Sequence, residues 1–434
     1  MGLLSFDEAL ARLLEQAGAM SMAVTETETV ATQAALGRVL ATSLVSTLAV
    51  PPLDNSAMDG YALRCADAPA AGARLPIAQR IVAGNVGQPL TPGTAARIFT
   101  GAPVPAGADA VVMQELCAHD GDAVVINVVP HPGQAIRRRG EDIAPGATIV
   151  AAGTRLGAAH LGLAASVGAA ELTVCRRLRV ALLCTGDELT LPGQPLKPGG
   201  IYNSNRDTLL ALLTGLGCVV TDLGNVPDTL AATRAALRAA AQDNDLILTS
   251  GGVSVGEEDH VKPAVTAEGS LDLWQIAIKP GKPLAFGQVR KKVGAPGVLP
   301  SGRAGGTARP SDVGDEAGGD VGETAAFIGL PGNPVASFIT FLMLVRPFIL
   351  RAQGANWTPP RGMLLPANFS LPGDKRREFP RARRTDDDRL TLFPNQGSGV
   401  LTSCAWADGL VDNPPGQAVQ PGDPVRFIPF DELM

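Results

Sequence analysis

From residue 179 onward, patterns of short buried strands alternate with helical patterns, and this alternation limits the fold more than any other feature. Parallel strands need long crossover connections, which helices usually supply. The alternation therefore predicts a doubly wound parallel sheet with helices on both faces. The predicted strands are residues 179–184, 218–223 and 245–249, and the predicted helices are residues 206–215, 229–242 and 260–268.

The end of this region contains two turns and a long helix. Residues 276–289 contain strand material around a turn that carries Lys279 and Lys282. Residues 327–334 lead into an apolar helix, for which Asn333 is the expected cap and Pro334 the first residue. Asn205 is the expected cap of the helix at 206–215. Residues 291–322 are rich in Gly, Pro, Ser and charge, which predicts a flexible surface insertion.

The whole chain has 434 residues, too many for one ordinary core, so a multidomain protein is expected. Residues 1–21 contain a capping box and predict an N-terminal helix that packs on other domains. Short strands and turns predict a mainly β domain at 51–146. The remaining predicted parts are a linking region at 22–50 and 147–175, the α/β domain at 176–350 and a small C-terminal β domain at 351–434. The fold class is thus multidomain α/β plus β.

Composition excludes some functions. The net charge of −6 argues against nucleic acid as a partner, so an anion site must be built from local positive charge. Six dispersed cysteines without a C-x-x-C pair are typical of reduced thiols in the cytoplasm. The most apolar run, residues 338–350, is too short to span a bilayer, so no membrane partner is expected.

Four predicted loops follow strands of the α/β domain, at the edge where such sheets bind ligands. Their backbone amides suit an anion, and their carboxylates suit Mg²⁺. Each loop alone is typical of an ordinary turn, helix cap or solvated charge, and the lysine turn is equally compatible with a charged surface. Their shared edge favours a phosphorylated anion handled with a divalent metal. The loops are residues 185–188, 227–228, 249–259 and 329–334.

Further polar segments lie in the predicted β domains. Asp59 and Thr100 belong to two turns of the first β domain, and an Arg-rich run precedes Asp142. Near the C-terminus, Arg381 and the Gly-Ser398-Gly turn form an anion-friendly patch. Considered separately, each is more typical of a turn or an exposed charge run.

The motifs, taken in order, resemble the molybdopterin molybdenumtransferases, the bacterial MoeA proteins and the E domain of gephyrin. The resemblance runs over nearly the whole chain, and the ordered set is specific. The motifs are Met58-Asp-Gly-Tyr-Ala, Thr100-Gly-Ala-Pro-Val-Pro, Gly140-Glu-Asp-Ile, Thr185-Gly-Asp-Glu-Leu, Ser250-Gly-Gly-Val-Ser-Val-Gly, Lys279-Pro-Gly-Lys-Pro and Gly329-Leu-Pro-Gly-Asn-Pro-Val.

The resemblance implies an elongated homodimer of four-domain subunits, in which the α/β domain is like that of the MoaB and MogA proteins and 22–50 with 147–175 form an elongated linking domain. The implied activity is the insertion of molybdate into adenylylated molybdopterin with Mg²⁺-dependent release of AMP. Other molybdenum cofactor enzymes are candidate partners. Two alternatives stay open: a molybdopterin adenylyltransferase and a gephyrin-like scaffold.

The resemblance also implies residue roles. Asp59, Thr100 and Asp142 would face the other subunit's α/β domain. Implied catalytic residues are Asp259, Glu188, Asp59 and Asp142, and implied metal ligands are Asp259, Glu188 and Asp228. Implied substrate-binding residues are Thr100, Thr185, Asp187, Asn205, Ser250, Gly251, Gly252, Ser254, Lys279, Lys282, Pro331, Asn333, Arg381 and Ser398.

Three features depart from the family pattern. His260 occupies a position where Tyr is frequent, and Ala336 a position that is often Ser, so that Ser337 is the available replacement. The insertion at 291–322 is longer than the family leads us to expect.

Overall fold

The computed structural model describes residues 3–20, 26–252, 260–281, 283–291 and 323–434. Its contacts divide the chain into two compact units. We call Met1–Glu28, Gly37–Val39 and Cys175–Met434 the α/β unit, and Thr29–Leu36 with Leu40–Val174 the β unit. The finer predicted domain boundaries stay predictions. Ser254, Asp259, Lys282 and the insertion from residue 292 to 322 lie outside the described residues.

The α/β unit begins with helix α1, Phe6–Ala19. The predicted capping box is present: the Ser5 side chain accepts a hydrogen bond from the Glu8 N–H, and the Glu8 carboxylate accepts one from the Ser5 N–H. These bonds satisfy amide groups that a helix start otherwise leaves unpaired. The buried face of α1 carries Phe6, Ala9, Leu13 and Ala17.

The β unit is built around a six-stranded sheet with the order β7-β4-β6-β5-β9-β8. Its core residues are mostly aliphatic and include Leu63, Ile98 and Val124, which are fully buried, beside Tyr61. The elements between Thr27 and Cys175 are β1 Thr27–Ala31, β2 Leu44–Val45, β3 Asn55–Ser56, β4 Gly60–Leu63, β5 Ala73–Ile81, β6 Ala95–Ile98, β7 Ala110–Met113, β8 Cys117–Asp120, β9 Ala123–Ile126, β10 Ile136–Arg137, β11 Thr148–Val150, helix α2 Ala158–Ser166 and β12 Glu171–Cys175.

The α/β unit continues with a second six-stranded sheet, of order β16-β13-β17-β21-β20-β18. Its strands and the short ones beside them are β13 Arg179–Thr185, β14 Leu189–Thr190, β15 Ile201–Tyr202, β16 Val219–Val226, β17 Leu246–Ser250, β18 Gly269–Gln275, β19 Ile278–Lys279, β20 Pro283–Arg290 and β21 Thr324–Leu330. Its helices are α3 Ser204–Gly215, α4 Leu230–Asp243, α5 Val261–Glu268, α6 Pro334–Thr340 and α7 Arg346–Ala352, with a π-helical turn at Phe341–Val345.

Four of these strands, β16, β13, β17 and β21, are parallel, as predicted. The sheet is mixed, because β20 runs antiparallel to both β18 and β21, and β18 is a strand that the sequence did not predict. For the pair β18 and β20, the physical reason is the length of their connection. Only residues 276–282 separate β18 from β20, and a connection this short cannot hold the crossover that parallel strands need.

The C-terminal part forms a five-stranded antiparallel sheet of order β22-β27-β26-β24-β25, which confirms the predicted β region. Its core contains Ala382, Leu390, Val411 and Phe427. The elements are β22 Met363–Pro366, β23 Arg377–Glu378, β24 Arg381–Arg384, β25 Leu390–Leu392, helix α8 Thr402–Trp406, β26 Gly409–Asp412 and β27 Pro424–Pro429.

One helical stretch among the described residues, Pro334–Ala352, is long and apolar enough to cross a membrane by length and composition. It is six residues longer than the predicted apolar run at 338–350, because α6, the π-helical turn and α7 join. Within the protein 89% of its most apolar window is buried, which is typical of a core helix.

Candidate functional site

A cleft of about 370 Å³ lies at the carboxyl edge of the parallel strands. Strands β13, β17 and β21 end at nearly the same level, since Cys184 pairs with Ser250 and Ser250 with Leu330. This is where doubly wound sheets bind ligands. The lining residues are Thr185, Glu188, Leu189, Ile201, Tyr202, Asn203, Ser204, Asn205, Ser250, Gly251, Gly332, Asn333 and Pro334.

The Asn205 side chain connects the loops that follow β17 and β21. Its side-chain amide donates to Ser250 Oγ at 2.8 Å and to the Gly332 carbonyl at 2.7 Å. The prediction that Asn205 caps α3 was wrong, because Asn203 is the cap and its side chain accepts from the Arg206 N–H at 3.1 Å. Either asparagine could serve as a cap by sequence. Because Asn203 is the cap, the Asn205 side chain is available to connect the loops that line the cleft.

Of the loop at 249–259, whose amides were predicted to suit an anion, the structure describes the part up to Gly252, and one of its amides is already used. Gly251 has φ +90° and Gly252 φ +68°, conformations that favour glycine. The Gly251 N–H already donates to the Leu330 carbonyl at 3.1 Å. A Cβ atom on Gly252 would lie 2.2 Å from Val261 Cγ2. These two positions directly after β17 therefore favour glycine, by their backbone conformation and, at Gly252, by the close approach of Val261.

The acidic residues lie around the same edge. Glu188 lines the cleft, and its carboxylate folds back over the preceding glycine, 2.7 Å from where a Cβ on Gly186 would lie. Asp187 Oδ1 accepts from the Asp228 N–H at 3.3 Å, which connects the loops after β13 and β16. Thr229, rather than Asp228, caps α4.

Within the described ranges, no three His, Cys, Asp or Glu residues are grouped to hold a metal ion. Glu188 and Asp228 offer the hard oxygen donors that Mg²⁺ prefers, so their chemistry fits that ion. The third predicted ligand, Asp259, lies outside the described residues.

Lys279 has carboxylate partners of its own. Strand β19 pairs with β23, which brings Lys279 Nζ within 2.8 Å of Glu378 and 3.3 Å of Asp374. The hydrogen bond to Glu378 raises the pKa of the lysine. Because two carboxylates already balance this charge, Lys279 contributes less free positive charge than the sequence implied.

Arg381, unlike Lys279, is buried away from carboxylates of the described residues. It is 1% exposed, and burial lowers the pKa of its guanidinium. Its Nε donates to Ser403 Oγ at 2.9 Å and its Nη2 to the Gly397 carbonyl at 3.2 Å. Across the part of the chain that the structure describes, no carboxylate forms an ion pair with it. A guanidinium has five N–H donors and stays charged when buried, so Arg381 can still bind an anion.

The turn next to Arg381 also contacts the start of α6. The Ser398 carbonyl accepts from the Val335 N–H at 2.9 Å, beside the Asn333 cap that lines the cleft. Ser337, in the first turn of α6, is 2% exposed, and its hydroxyl has no hydrogen-bond partner among the described residues. The Gly397–Ser398 segment thus contacts both the Arg381 side chain and the start of α6. Pro331 is buried and does not line the cleft.

In the β unit, the structure brings Asp59 and Thr100 together. Asp59 Oδ1 accepts from the Thr100 N–H at 2.8 Å and from its hydroxyl at 2.7 Å. These bonds, the backbone one first, lower the pKa of Asp59. Asp142 is exposed and has its N–H bonded to the Val50 carbonyl at 3.0 Å. No hydrogen bond between the described atoms joins Asp142 to Asp59.

Sequence reasoning missed one wall of the cleft. Leu189, Ile201 and Tyr202 line it through the short parallel pair β14 and β15, and Tyr202 is 48% exposed. The available signal was the position of Ile201 and Tyr202 directly before a capped helix start. Two-residue strands carry too little periodicity to be predicted.

The fold and the cleft define a class: a protein with a ligand-binding α/β domain joined to mainly β regions. Three family models match successive parts of the chain. They are the MoeA N-terminal region (domain I and II) at residues 4–168, the probable molybdopterin binding domain at 181–351 and the MoeA C-terminal region (domain IV) at 365–430.

Relatives agree with these models. The molybdopterin molybdenumtransferase of Haemophilus influenzae is 40% identical, over 82% of this chain and 80% of its own length. Dictyostelium discoideum gephyrin is 31% identical, over 80% of this chain and 49% of its own length. A solved molybdopterin biosynthesis MoeA protein from Pyrococcus horikoshii OT3 is 25% identical with a TM-score of 0.77, covering 99% of this chain and 100% of that one. The chain belongs to the molybdopterin molybdenumtransferase family.

Proposed function

We propose that this protein inserts molybdate into adenylylated molybdopterin and releases AMP, with Mg²⁺ as its cofactor. Membership of the family makes it a transferase of molybdenum cofactor biosynthesis. What we propose beyond this is the use of adenylylated molybdopterin as the substrate, the need for Mg²⁺ and the release of AMP. The observation that carries them is the buried guanidinium of Arg381, which has no carboxylate partner among the described residues and contacts the Gly397–Ser398 segment next to the start of α6.

Arg381 suits molybdate for a physical reason. Burying a charge without a counter-ion is costly, so an unpaired buried cation favours a bound anion that restores neutrality. Molybdate is a tetrahedral dianion with several oxygen acceptors. The guanidinium donors that remain on Arg381, and the Ser337 hydroxyl, which has no partner among the described residues, are complementary to such acceptors.

The cleft suits the organic part of the substrate. Thr185 and Ser250 line it with hydroxyl groups that can orient a phosphorylated ligand, and the side-chain amide of Asn205 holds Ser250 in place. Mg²⁺, held by Glu188, Asp228 and the predicted Asp259, would neutralise phosphate charge when bound. No protein nucleophile is required, because positioning and charge stabilisation can supply most of the rate enhancement.

The test is molybdate-dependent release of AMP from adenylylated molybdopterin by the purified protein. We expect AMP to appear only when molybdate and Mg²⁺ are both present. Asp259→Ala should bind adenylylated molybdopterin and release little AMP. Asp272→Ala is a control on the same chain, since Asp272 lies in β18 and does not line the cleft. Rapid AMP release by Asp259→Ala would contradict the assignment of that residue.

A molybdopterin adenylyltransferase is the first alternative. It would produce adenylylated molybdopterin from ATP and molybdopterin and would not consume it, so the same incubation separates the two reactions. The second alternative is a gephyrin-like scaffold, which the likeness to gephyrin keeps open. A protein that binds partner peptides and leaves adenylylated molybdopterin intact would favour it.

We also infer a cytoplasmic homodimer from the family resemblance and from the acidic, cysteine-dispersed sequence. Light scattering coupled to size-exclusion chromatography measures the mass directly. Fractionation of cells that express the full chain tests its location. Pull-downs under native conditions would identify other molybdenum cofactor enzymes as partners.

A further inference from the structure

Arg97 is a cation of the β unit with no carboxylate partner among the described residues, and it lies next to the Asp59–Thr100 pair. Its Nη1 donates to the Gly60 carbonyl at 2.9 Å, and its Nη2 donates to Gln114 Oε1 at 2.5 Å. The guanidinium also lies over the rings of Tyr61 and Phe99, with 5.1 Å and 4.6 Å to their centroids. Hydrogen bonds and ring contacts together hold its plane in one orientation.

The two hydrogen bonds of the Arg97 side chain and its contact with Phe99 involve residues around the turn that carries Asp59. Gly60 follows Asp59 directly, and the Gln114 N–H donates to the Asp59 carbonyl at 3.1 Å. Phe99 precedes Thr100, whose N–H and hydroxyl bind the Asp59 carboxylate. Arg97 therefore contacts the residue after Asp59 and the residue before Thr100, and so restrains the backbone of both members of the pair.

The backbone at Gly60 is also restrained by close packing against β7. A Cβ atom on Gly60 would lie 2.0 Å from the Val112 carbonyl oxygen, so the chain passes very close to β7 at this point. Thr100 uses both of its donors on Asp59 Oδ1, and Oδ2 accepts no hydrogen bond from the described residues. The carboxylate thus presents one oxygen in a fixed direction.

We propose that Arg97 is a positioning residue that holds the Asp59–Gly60 turn so that Asp59 Oδ2 is presented to the substrate or its metal. This inference rests on the proposed function, because it assumes that Asp59 acts in the reaction. A role confined to stability is the competing explanation, since Arg97 also joins β4, β6 and the turn after β7.

Three variants of the full chain separate these roles. Arg97→Met removes the donors, Arg97→Lys keeps the charge without the planar donors, and Arg74→Met removes an exposed arginine that pairs with Asp120 on the same sheet. The first readout is the pKa of the Asp59 carboxyl, followed by ¹³C NMR and assigned from the signal lost in Asp59→Asn. We expect Arg97→Met to raise this pKa, Arg97→Lys to raise it less, and Arg74→Met to leave it unchanged.

The second readout is AMP release. We expect Arg97→Met to lower kcat about 10- to 100-fold with little change in KM, since misplacing a reacting group costs rate more than binding. In an Asp59→Asn background the same change should cost less than about 2-fold, because coupled residues are not additive.

Two results would overturn the proposal: an Asp59 pKa unchanged in Arg97→Met, or an equal loss of kcat with and without Asp59. If the wild-type protein releases no AMP at all, the proposed function fails, and the NMR titration still decides whether Arg97 positions Asp59. If Arg97→Met does not fold, Arg97→Lys carries both readouts.

Discussion

Replacing Arg381 with methionine should weaken molybdate binding while leaving the protein about as stable as before. The side chain is 1% exposed and forms two hydrogen bonds, to Ser403 Oγ and the Gly397 carbonyl. Methionine fills a similar volume without the charge. The two effects of this substitution have different physical origins and can be measured separately.

The binding effect follows from the donors that remain on the guanidinium. A hydrogen bond to a charged group is worth about 1.5–3 kcal/mol, so losing one such contact weakens binding roughly 10- to 150-fold. The effect on stability is smaller, because two hydrogen bonds are lost while the cost of burying an unpaired cation disappears. We expect the free energy of unfolding to change by less than about 1 kcal/mol.

Equilibrium dialysis against molybdate, with bound molybdenum measured by mass spectrometry, gives the first quantity. Urea denaturation gives the second. Arg383→Met is the matched control, because Arg383 lies on the same strand with its side chain 45% exposed. Arg381→Lys should fall between wild type and Arg381→Met, since it keeps the charge and loses the planar donors.

Unchanged molybdate binding by Arg381→Met, together with a large loss of stability, would refute this reasoning. Arg381 would then be a structural residue of the C-terminal sheet. Equal weakening by Arg383→Met would show that the overall charge of this strand, rather than one buried group, attracts the anion.

Other predictions concern stability and pH. Gly252→Ala should lower the free energy of unfolding by at least about 1–2 kcal/mol in urea, since a side chain disfavours φ +68°. Asp245→Asn should lower it by about 1.5–3 kcal/mol in the same assay, because it removes charged hydrogen bonds to Arg176, which keeps Glu26 as its other carboxylate partner. Thr100→Val should move the acid limb of AMP release to higher pH. The Thr100 bonds depress the pKa of Asp59, so they favour its ionised form above that pKa and lose this effect as pH falls through it.

The elements with strong local signals were predicted from the sequence. Strand β13, helix α4 and the capping box of α1 each depend on residues near one another in the chain, and the structure confirms them. The cleft was also predicted in outline, since strand ends in a parallel sheet must meet at one edge. Thr185, Asn205, Ser250 and Asn333 all line it.

Contacts between residues far apart in the sequence determined the features that the sequence did not predict. The direction of β20 depends on its pairing with β21, and the state of Lys279 depends on carboxylates almost 100 positions further along the chain. The burial of Arg381 depends on how the C-terminal sheet folds around it. Local sequence determines periodicity, caps and turns, because those interactions span only a few residues. Whether a charge becomes paired, exposed or buried is settled by packing. Only the tertiary structure shows that Arg381 is buried without a carboxylate partner among the described residues, while Lys279 forms ion pairs with Glu378 and Asp374.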